Sequence, residues 1–366
     1  MKYKSVLIIG DGIAANTVAL ELLPLGLNIE ILSDKASSFA NGFSHVFYNT
    51  MLNELGVLQN GHQKGFRIYL KRTILQKYTK ACFTISELRS ALKQRLASVE
   101  VSIRHGYRVE HVELNNHLIK SITFTNGQIH SIPKDLLVID CMGRTTPFHQ
   151  ILPISKIRSN ICYIVAQQKP NFDIRSLTSP YNTFIDHDHF STMIYTANRD
   201  NDHLTLFTLA NNVDLIKKYK TEENFYSLFK NIYGTERIGN LLSGPKIFMR
   251  PELYNIYSQS HSQLPRNYVA IGDAACSTLP VFGAGTLLAW KSARHLKEAM
   301  MRGLTSQNID SLWLNINSAL SSCYNDSLNY KYQKADKQNT LRQSLLKSFL
   351  PNKIRQLRSI KKGSYE

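Results

Sequence analysis

The sequence has few cysteines and no long apolar run. Its five cysteines are widely spaced and form no CxxC pair, which indicates neither a disulfide framework nor a zinc site, so reduced thiols in the cytoplasm are expected. The first apolar run, residues 6–9, ends at Gly10 and is too short for the apolar core of a signal peptide, so we expect no export signal. No stretch approaches about eighteen consecutive apolar residues, so the sequence predicts no membrane-spanning helix.

Acidic residues are also scarce. There are 27 Asp and Glu against 44 Lys and Arg, and the net charge of +17 attracts anions such as acidic lipids, acidic proteins and phosphorylated cofactors. Much of the excess lies in the tail at 336–366, where Leu345, Leu346, Phe349 and Leu350 share one predicted helical face among basic residues. Such a segment packs on its own domain, or it binds an acidic protein or an anionic membrane surface. We expect a cytoplasmic protein, with a peripheral position at the membrane as the alternative, and no nucleic acid partner.

The apolar pattern changes twice along the chain. Strands predicted at 6–9 and 28–32 flank a helix at 14–25, which is the pattern of a βαβ unit. A helix is predicted at 83–96, where leucines recur every four residues, and strands are predicted at 99–104, 108–114, 119–124 and 136–140. Residues 151–263 are rich in β patterns, which favour an antiparallel sheet in a separate lobe. A buried parallel strand then returns at 268–271, and it is followed by a long helix from about 284 and further helices to the C-terminus.

A glycine-rich turn, GDGIAA at 10–15, joins the first strand to the first helix. In a GxGxxG turn the first glycine allows the sharp bend, the second lets backbone N–H groups approach a pyrophosphate, and the sixth residue sets helix–strand packing, so Ala15 is tolerated there. The helix N-terminus adds favourable partial charge for an anion. The acid that binds the ribose 2′-hydroxyl is expected near Ser33, and we assign that role to Asp34. The turn indicates a dinucleotide site, with a nicotinamide or a ligand-free turn as the alternatives.

A second acid follows a buried strand in the segment GDAACSTLPVFGAG at 272–285. An acid directly after a strand, then a proline, then glycines at a helix start would suit a flavin. Asp273 could accept a hydrogen bond from a ribityl hydroxyl, and backbone N–H groups at 283–286 could hold the electron-rich edge of a reduced flavin ring. The alternative is a tight turn with a helix cap, in which Asp273 is structural.

Three blocks in this order resemble the group A flavoprotein monooxygenases, the para-hydroxybenzoate-hydroxylase-like superfamily that includes geranylgeranyl reductases and flavin halogenases. They are GDGIAA at 10–15, DLLVIDCMGRTT at 135–146 and GDAACSTLPVFGAG at 272–285. The resemblance covers about residues 1–160 and 262–300. It implies an α/β fold with a discontinuous Rossmann-like FAD-binding domain (1–160 and 262–335), an inserted, mainly antiparallel β substrate-binding lobe (161–261), and a basic helical C-terminal tail (336–366).

The resemblance also implies which residues form the site. In the family, the middle block lies near the flavin and the path of the nicotinamide, and the loop after the second strand approaches the flavin ring, which here would bring Asn41, Gly42 and His45 close to it. The predicted cofactor-binding residues are Gly10, Gly12, Ile13, Ala14, Ala15, Asp34, Arg89, Asp140, Gly143, Arg144, Gly272, Asp273, Pro280, Gly283, Ala284, Gly285 and Thr286. No side chain stands out as a catalytic acid or base. The sequence DHDH at 186–189 is more typical of a polar turn than of a metal site, so no metal is predicted.

The family's chemistry implies a function. NAD(P)H would reduce the FAD, and O2 would then give a C4a-hydroperoxyflavin that hydroxylates an aromatic or other electron-rich substrate, either a small molecule or a protein. The alternatives within the superfamily are hydroxylation of a tryptophan in a partner protein during quinone-cofactor maturation and reduction of an isoprenoid lipid. The non-enzymatic alternative is a degenerate flavoprotein that acts as a binding partner. Halogenation is not expected, because the WxWxIP signature of tryptophan halogenases is absent.

Several positions depart from the family's pattern. Ile85 stands where an arginine commonly opens the family's RxxL helix, and Arg89, one turn later, is the residue that could reach the cofactor instead. The last block reads GAG where many members have GQG, and Leu287 stands where an asparagine often contacts the ring. Lys291 and Ser292 replace a frequent acidic pair. These departures concern cofactor affinity and chemistry rather than the fold.

Overall fold

The protein forms two compact units in the computed structural model, each built from separate stretches of the chain. Within the described residues, the first unit takes its residues from 3–57, 83–157 and 252–303, and the second from 63–82 and 158–248. The structure describes residues 3–34, 44–57, 63–70, 73–158, 162–169, 171, 182–186, 190–195, 204–210, 213–233, 239–248, 252–255, 264–275, 277 and 284–303.

Strands and helices alternate in the first third of the chain, and strands dominate the middle. The strands are β1 Ser5–Ile9, β2 Asn28–Ser33, β3 Ser44–Tyr48, β4 Gln63–Leu70, β5 Thr73–Thr84, β6 Ile103–His105, β7 Val109–Asn115, β8 Leu118–Phe124, β9 Ile129–Ser131, β10 Leu136–Asp140, β11 Ser155–Arg158, β12 Cys162–Lys169, β13 Asn182–Asp186, β14 Phe190–Tyr195, β15 Leu204–Ala210, β16 Asn240–Phe248, β17 Glu252–Asn255 and β18 Tyr268–Ala270. The helices are α1 Ile13–Leu22, α2 Asn49–Glu54, α3 Ile85–Ala97, α4 Phe148–Ile151, α5 Val213–Lys218, α6 Glu222–Tyr233 and α7 Ala284–Met301.

A parallel sheet forms the centre of the first unit. Its strand order is β18-β10-β1-β2-β6, and every neighbouring pair is parallel. Strand β10 is buried along its whole length, and β1 is buried from Val6 onward, which is typical of a parallel sheet covered on both faces. Helix α1 packs against both α3 and α7. The carboxyl ends of β1, β10 and β18 therefore lie side by side at one edge of this sheet.

A small antiparallel sheet, with strand order β7-β8-β9, adds to the first unit. It turns Val112, Ile122 and Phe124 into the same core as the parallel sheet. The fully buried Asn267, just before β18, accepts a hydrogen bond from the Ile119 N–H at 2.8 Å and donates one to the Ile119 carbonyl at 2.9 Å. This pair of bonds satisfies a buried amide and fixes β8 beside the chain that enters β18.

The second unit has a sheet of its own. Its neighbouring strands run in the order β16-β12-β15-β14-β13-β4-β5, and the pairs are antiparallel except for β13 with β4. One face of β12 and β15 is covered by α5 and α6, which gives this unit a separate core that includes Ile164, Leu206, Phe225 and Phe229. The ring centroids of Phe225 and Phe229 lie 4.9 Å apart.

The predicted α/β fold with a parallel and an antiparallel sheet is confirmed, and the differences are local. The first helix ends at Leu22 and continues as a 3-10 turn, because Pro24 lacks an N–H and Gly26 follows in the left-handed region at φ 67°. The strand predicted at 99–104 begins only at Ile103. Helices α5 and α6 were not predicted within the β-rich lobe. The hairpin at 63–82 lies with the second unit, whereas the predicted boundaries include it in the nucleotide-binding domain.

The tail at 336–366 and most of the predicted C-terminal helices lie outside the described residues. Across the part of the chain that is described, no helix has the length and apolar character needed to cross a bilayer.

Candidate functional site

The three blocks found in the sequence meet at one edge of the parallel sheet. Each block includes the turn that follows a strand, and these strands end at Ile9 (β1), Asp140 (β10) and Ala270 (β18). The register pairs Ile9 with Asp140 and Asp140 with Ala270. The turns that follow the three strands are therefore neighbours in space, although they are far apart in sequence. Ligands of open α/β sheets bind outside the carboxyl ends of strands, so this edge is the candidate site.

Two glycines allow the blocks to touch. A Cβ atom on Gly10 would lie 2.7 Å from the Cys141 carbonyl oxygen, and Gly10 has a φ of +117°. A Cβ atom on Gly272, whose φ is +69°, would lie 2.9 Å from the Cβ of Ala14 and 3.6 Å from that of Ala289. Both positions therefore require glycine, for close approach and for backbone conformation. The first block contacts the second through Gly10 and the third through Ala14.

Gly12 is different, because it faces open space. It is the N-cap of α1, has an ordinary φ of −72°, and no side chain of the described residues caps the helix. A Cβ atom there would meet no atom within 4 Å in the part of the chain that the structure describes. Gly12, Ile13 and Ala14 are only partly buried, whereas Ala15 is fully buried against the sheet. The free space therefore adjoins the N–H groups of a helix N-terminus, which is the arrangement that binds a phosphate or pyrophosphate, and it fits the pyrophosphate of FAD.

An ion-pair cluster lies beside this turn. The Asp11 side chain is 1% exposed, and Arg89 Nη2 lies 2.5 Å from both of its carboxylate oxygens. Arg89 Nε also donates to the Asp11 carbonyl at 3.1 Å, and Lys93 Nζ donates to Asp11 Oδ2 at 2.8 Å. Although burial acts to raise the pKa of Asp11, the hydrogen bonds and charges of Lys93 and Arg89 lower it below its ordinary value. We call Asp11, Arg89 and Lys93 the Asp11 cluster.

Arg89 was predicted to reach the cofactor, and the structure shows it bonded to the turn. Its contact with the cofactor stays a prediction. Lys93 was missed in the sequence, although two signals pointed to it. A carboxylate between the two glycines of a phosphate-binding turn needs a cation near it, and Arg89 and Lys93 stand four residues apart, which places them on one helical face.

Asp140 lies at the centre of the second block. It is completely buried and accepts hydrogen bonds from the Met142 N–H (3.0 Å), the Thr146 hydroxyl (2.8 Å) and the Tyr268 hydroxyl (3.0 Å). Burial raises the pKa of Asp140 to about 6, against these three bonds, which favour the ionised form. The carboxylate therefore holds the turn after β10 and links it to β18. Its direct role toward a cofactor stays a prediction.

Arg144 and Asp273 bring opposite charges to the site from the second and third blocks. Both side chains are exposed. Even so, desolvation raises the pKa of Asp273 to about 6, and the Arg144 charge opposes that rise. The Asp273 carboxyl is therefore accessible to a ligand although protein atoms surround it. His149 Nε2 lies 2.6 Å from the Ala274 carbonyl oxygen, so the helix after the second block is bonded to the turn that carries Asp273.

The other predicted site residues are spread over several elements, and four of them lie outside the described residues. Ala284, Gly285 and Thr286 form the first turn of α7. Asp34 directly follows β2 and is exposed, and its carbonyl accepts the Gly106 N–H at 2.8 Å. His45 lies in β3, and Gly143, with a φ of +79°, lies in the turn after β10. Asn41, Gly42, Pro280 and Gly283 lie outside the described residues.

No protein-family model matches this sequence, and no curated protein matches it in sequence. Solved structures do match its fold. CtdE, solved in complex with FAD and a substrate, aligns with a TM-score of 0.69 at 10% identity over 92% of each chain. A variant of 2-methyl-3-hydroxypyridine-5-carboxylic acid oxygenase aligns with a TM-score of 0.69 at 14% identity, over 95% of this chain and 96% of its own.

A third similar structure is the peptidyl tryptophan dihydroxylase QhpG, essential for tryptophylquinone cofactor biogenesis. It aligns with a TM-score of 0.65 at 14% identity, over 94% of this chain and 79% of its own. At such identities the likeness concerns the fold. That fold, which is similar to the folds of FAD-binding monooxygenases, is the one predicted from the three blocks.

Proposed function

We propose that this protein is an FAD-dependent monooxygenase that uses NAD(P)H and O2 to hydroxylate an aromatic or other electron-rich substrate. The observation that carries the proposal is the turn at Gly12, where open space adjoins an uncapped helix N-terminus. A structure of the same fold holds FAD. The geometry supports binding of a dinucleotide, and the fold supports the flavin and the oxygenase chemistry.

The chain's own residues would hold FAD at both ends of the candidate site. The N–H groups of Ile13 and Ala14 would bind the pyrophosphate, and Asp34 would accept a hydrogen bond from the adenosine ribose. Asp273 would accept one from the ribityl chain, next to the positive charge of Arg144. Bound FAD would supply the redox chemistry, taking a hydride from NAD(P)H and passing electrons to O2.

Hydroxylation of a tryptophan side chain within a partner protein is the second candidate function. Two observations favour it: the similarity to QhpG, a peptidyl tryptophan dihydroxylase, and the net charge of +17, which would attract an acidic partner. A surface of this charge does not by itself select a protein over a small molecule. The two candidates share the FAD site and differ only in substrate.

The first experiment is a titration of the apoprotein with FAD, followed by visible absorption near about 370 and 450 nm, the usual flavin bands. Binding with these bands is expected, and protein that takes up no FAD would contradict the proposal. The second experiment measures NAD(P)H oxidation and peroxide release with candidate substrates under isotopically labelled O2. Incorporation of label into an aromatic compound supports the first candidate, and incorporation into an acidic partner protein supports the second. Oxygen-independent substrate reduction would contradict both.

A further inference from the structure

The Asp11 cluster presents an electrostatic problem. A carboxylate between the two glycines of a pyrophosphate-binding turn repels the anion that the turn binds. In this chain the carboxylate faces two cations, Arg89 and Lys93, and His105 Nε2 lies 4.0 Å from its Oδ2. One negative charge against two permanent positive charges leaves the cluster positive. The side of the turn that carries Asp11 is therefore positive overall and attracts phosphate.

The two cations are placed differently. Arg89 has a side chain only 12% exposed and bonds to both the side chain and the main chain of Asp11, so it holds the shape of the turn. The Lys93 side chain is 31% exposed, and its ammonium donates one hydrogen bond, to Asp11 Oδ2. An ammonium has three donors. The other two make no further hydrogen bond to the described residues and are available to a ligand.

We infer that Lys93 is a phosphate-binding residue of the dinucleotide site and that Asp11 positions it. The inference rests on the proposed FAD function. Asp11 directly precedes Gly12, and the open space beside α1 adjoins Gly12 because glycine has no Cβ. The 2.8 Å hydrogen bond from Lys93 Nζ to Asp11 Oδ2 therefore fixes the ammonium to the residue next to that space. Its ligand is the pyrophosphate of FAD. In this chain the lysine compensates for an acid that the turn would otherwise present to the cofactor.

The test compares the affinity of the apoprotein for FAD in three variants at two ionic strengths, with quenching of flavin fluorescence as the readout. Lys93→Gln should raise the Kd about tenfold at low salt, as expected for the loss of one partly exposed charge interaction, and should reduce the salt dependence of binding. Lys93→Arg, which keeps the charge, should retain most of the affinity. Lys297→Gln is the matched control, because Lys297 is 28% exposed and lies 3.5 Å from Glu21, another buried acid, at the far end of α1. It should leave the FAD affinity unchanged.

Urea unfolding of each apoprotein separates binding from structure. If Lys93→Gln leaves both the Kd and its salt dependence unchanged while the wild type binds FAD, the inference is wrong and the proposed function stands. The inference also fails if affinity falls only in step with apoprotein stability, with the salt dependence unchanged. It fails again if Lys93→Gln weakens NADPH binding to the FAD-loaded protein but not FAD binding. A wild type that takes up no FAD contradicts the proposed function itself.

Discussion

Two glycines two residues apart carry different constraints. At Gly10 a side chain would meet backbone atoms of the second block, and at Gly12 it would meet no atom of the described residues within 4 Å. We expect Gly10→Ala to lower the free energy of unfolding by about 2–4 kcal/mol, because the added Cβ forces the backbone apart and φ is positive. Gly12→Ala should cost under about 1 kcal/mol of stability and should weaken FAD binding at least about tenfold, because its methyl group occupies the space of the pyrophosphate.

Urea denaturation of the apoproteins and FAD titration together check this pair. The expected pattern is a crossed one, with stability lost at Gly10 and affinity lost at Gly12 without a matching loss of stability. If Gly12→Ala binds FAD as the wild type does, the pyrophosphate does not lie against this turn.

Asp140 makes stability depend on pH in a defined window. Its pKa in the folded protein is about 6, whereas an aspartate in an unfolded chain has a pKa of about 3.9. Between these values the folded protein holds a proton that the unfolded chain has released. This carboxyl therefore adds stability that is fully present below about pH 4 and is lost as the pH rises through about 6.

We predict that the free energy of unfolding of the wild type falls by up to about 3 kcal/mol relative to that of Asp140→Asn between about pH 4 and pH 6. Above about pH 7 the difference between the two proteins should be constant. Unfolding by urea at a series of pH values measures this. Two curves that stay parallel through the window would show that Asp140 is ionised in the folded protein throughout.

At the scale of elements, α7 is fixed to α1 by a buried polar contact. Trp290 Nε1 donates to Glu21 Oε1 at 2.8 Å, and both residues are buried. Arg294, one turn further along the same helix, pairs with Glu54 at 2.9 Å, but both of these side chains are about two-fifths exposed, at 39% and 41%. The two contacts allow a buried and an exposed polar contact to be compared on one helix.

Trp290→Phe should lower the free energy of unfolding by about 2–3 kcal/mol, because it leaves a buried carboxylate oxygen without its donor and reduces packing. Arg294→Gln should lower the free energy of unfolding by no more than about 1 kcal/mol, because the ion pair that it removes is exposed to solvent. Circular dichroism during urea denaturation is the measurement, since it does not depend on tryptophan fluorescence. Equal losses would mean that the Glu21 contact contributes no more than a surface ion pair.

Elements with strong periodic patterns could be predicted from the sequence, and their contacts could not. Strands β1, β8 and β10 match their predicted positions closely, because continuous apolar or alternating runs mark them. Helix α6 was not predicted, although Phe225, Leu228 and Phe229 follow helical spacing. The β patterns on either side of it led to the prediction of a lobe made mainly of strands. The inward turn of Arg89 and the burial of Asp140 depend on tertiary packing, which no local pattern encodes.

At the scale of the whole molecule, the two units have separate cores. Among the described residues, the core of the second unit is made by α5, α6, β12 and β15 and shares no residue with that of the first. We predict that Phe225→Ala, at a fully buried position, destabilises the second unit by about 3–5 kcal/mol. The affinity of the apoprotein for FAD should stay unchanged.

Hydrogen exchange followed by mass spectrometry would locate the effect. Faster exchange is expected in β12, β15, α5 and α6, with unchanged protection in β1 and β10. FAD titration of the same variant is the second readout. Equal loss of protection in both units, or a large loss of FAD affinity, would show that the cores unfold as one.

The position of β18 has a consequence for how the protein is made. During translation, β1 and β10 leave the ribosome long before Tyr268–Ala270, so one edge of β10 waits without a neighbour while more than a hundred residues are added. Unpaired strand edges in nascent chains invite aggregation, and pairing over such a sequence separation is slow. The first block also lacks its contact between Ala14 and Gly272 until then. Under the proposed function, FAD loading is therefore a late event in biosynthesis, because an interrupted chain lacks the third turn of the candidate site.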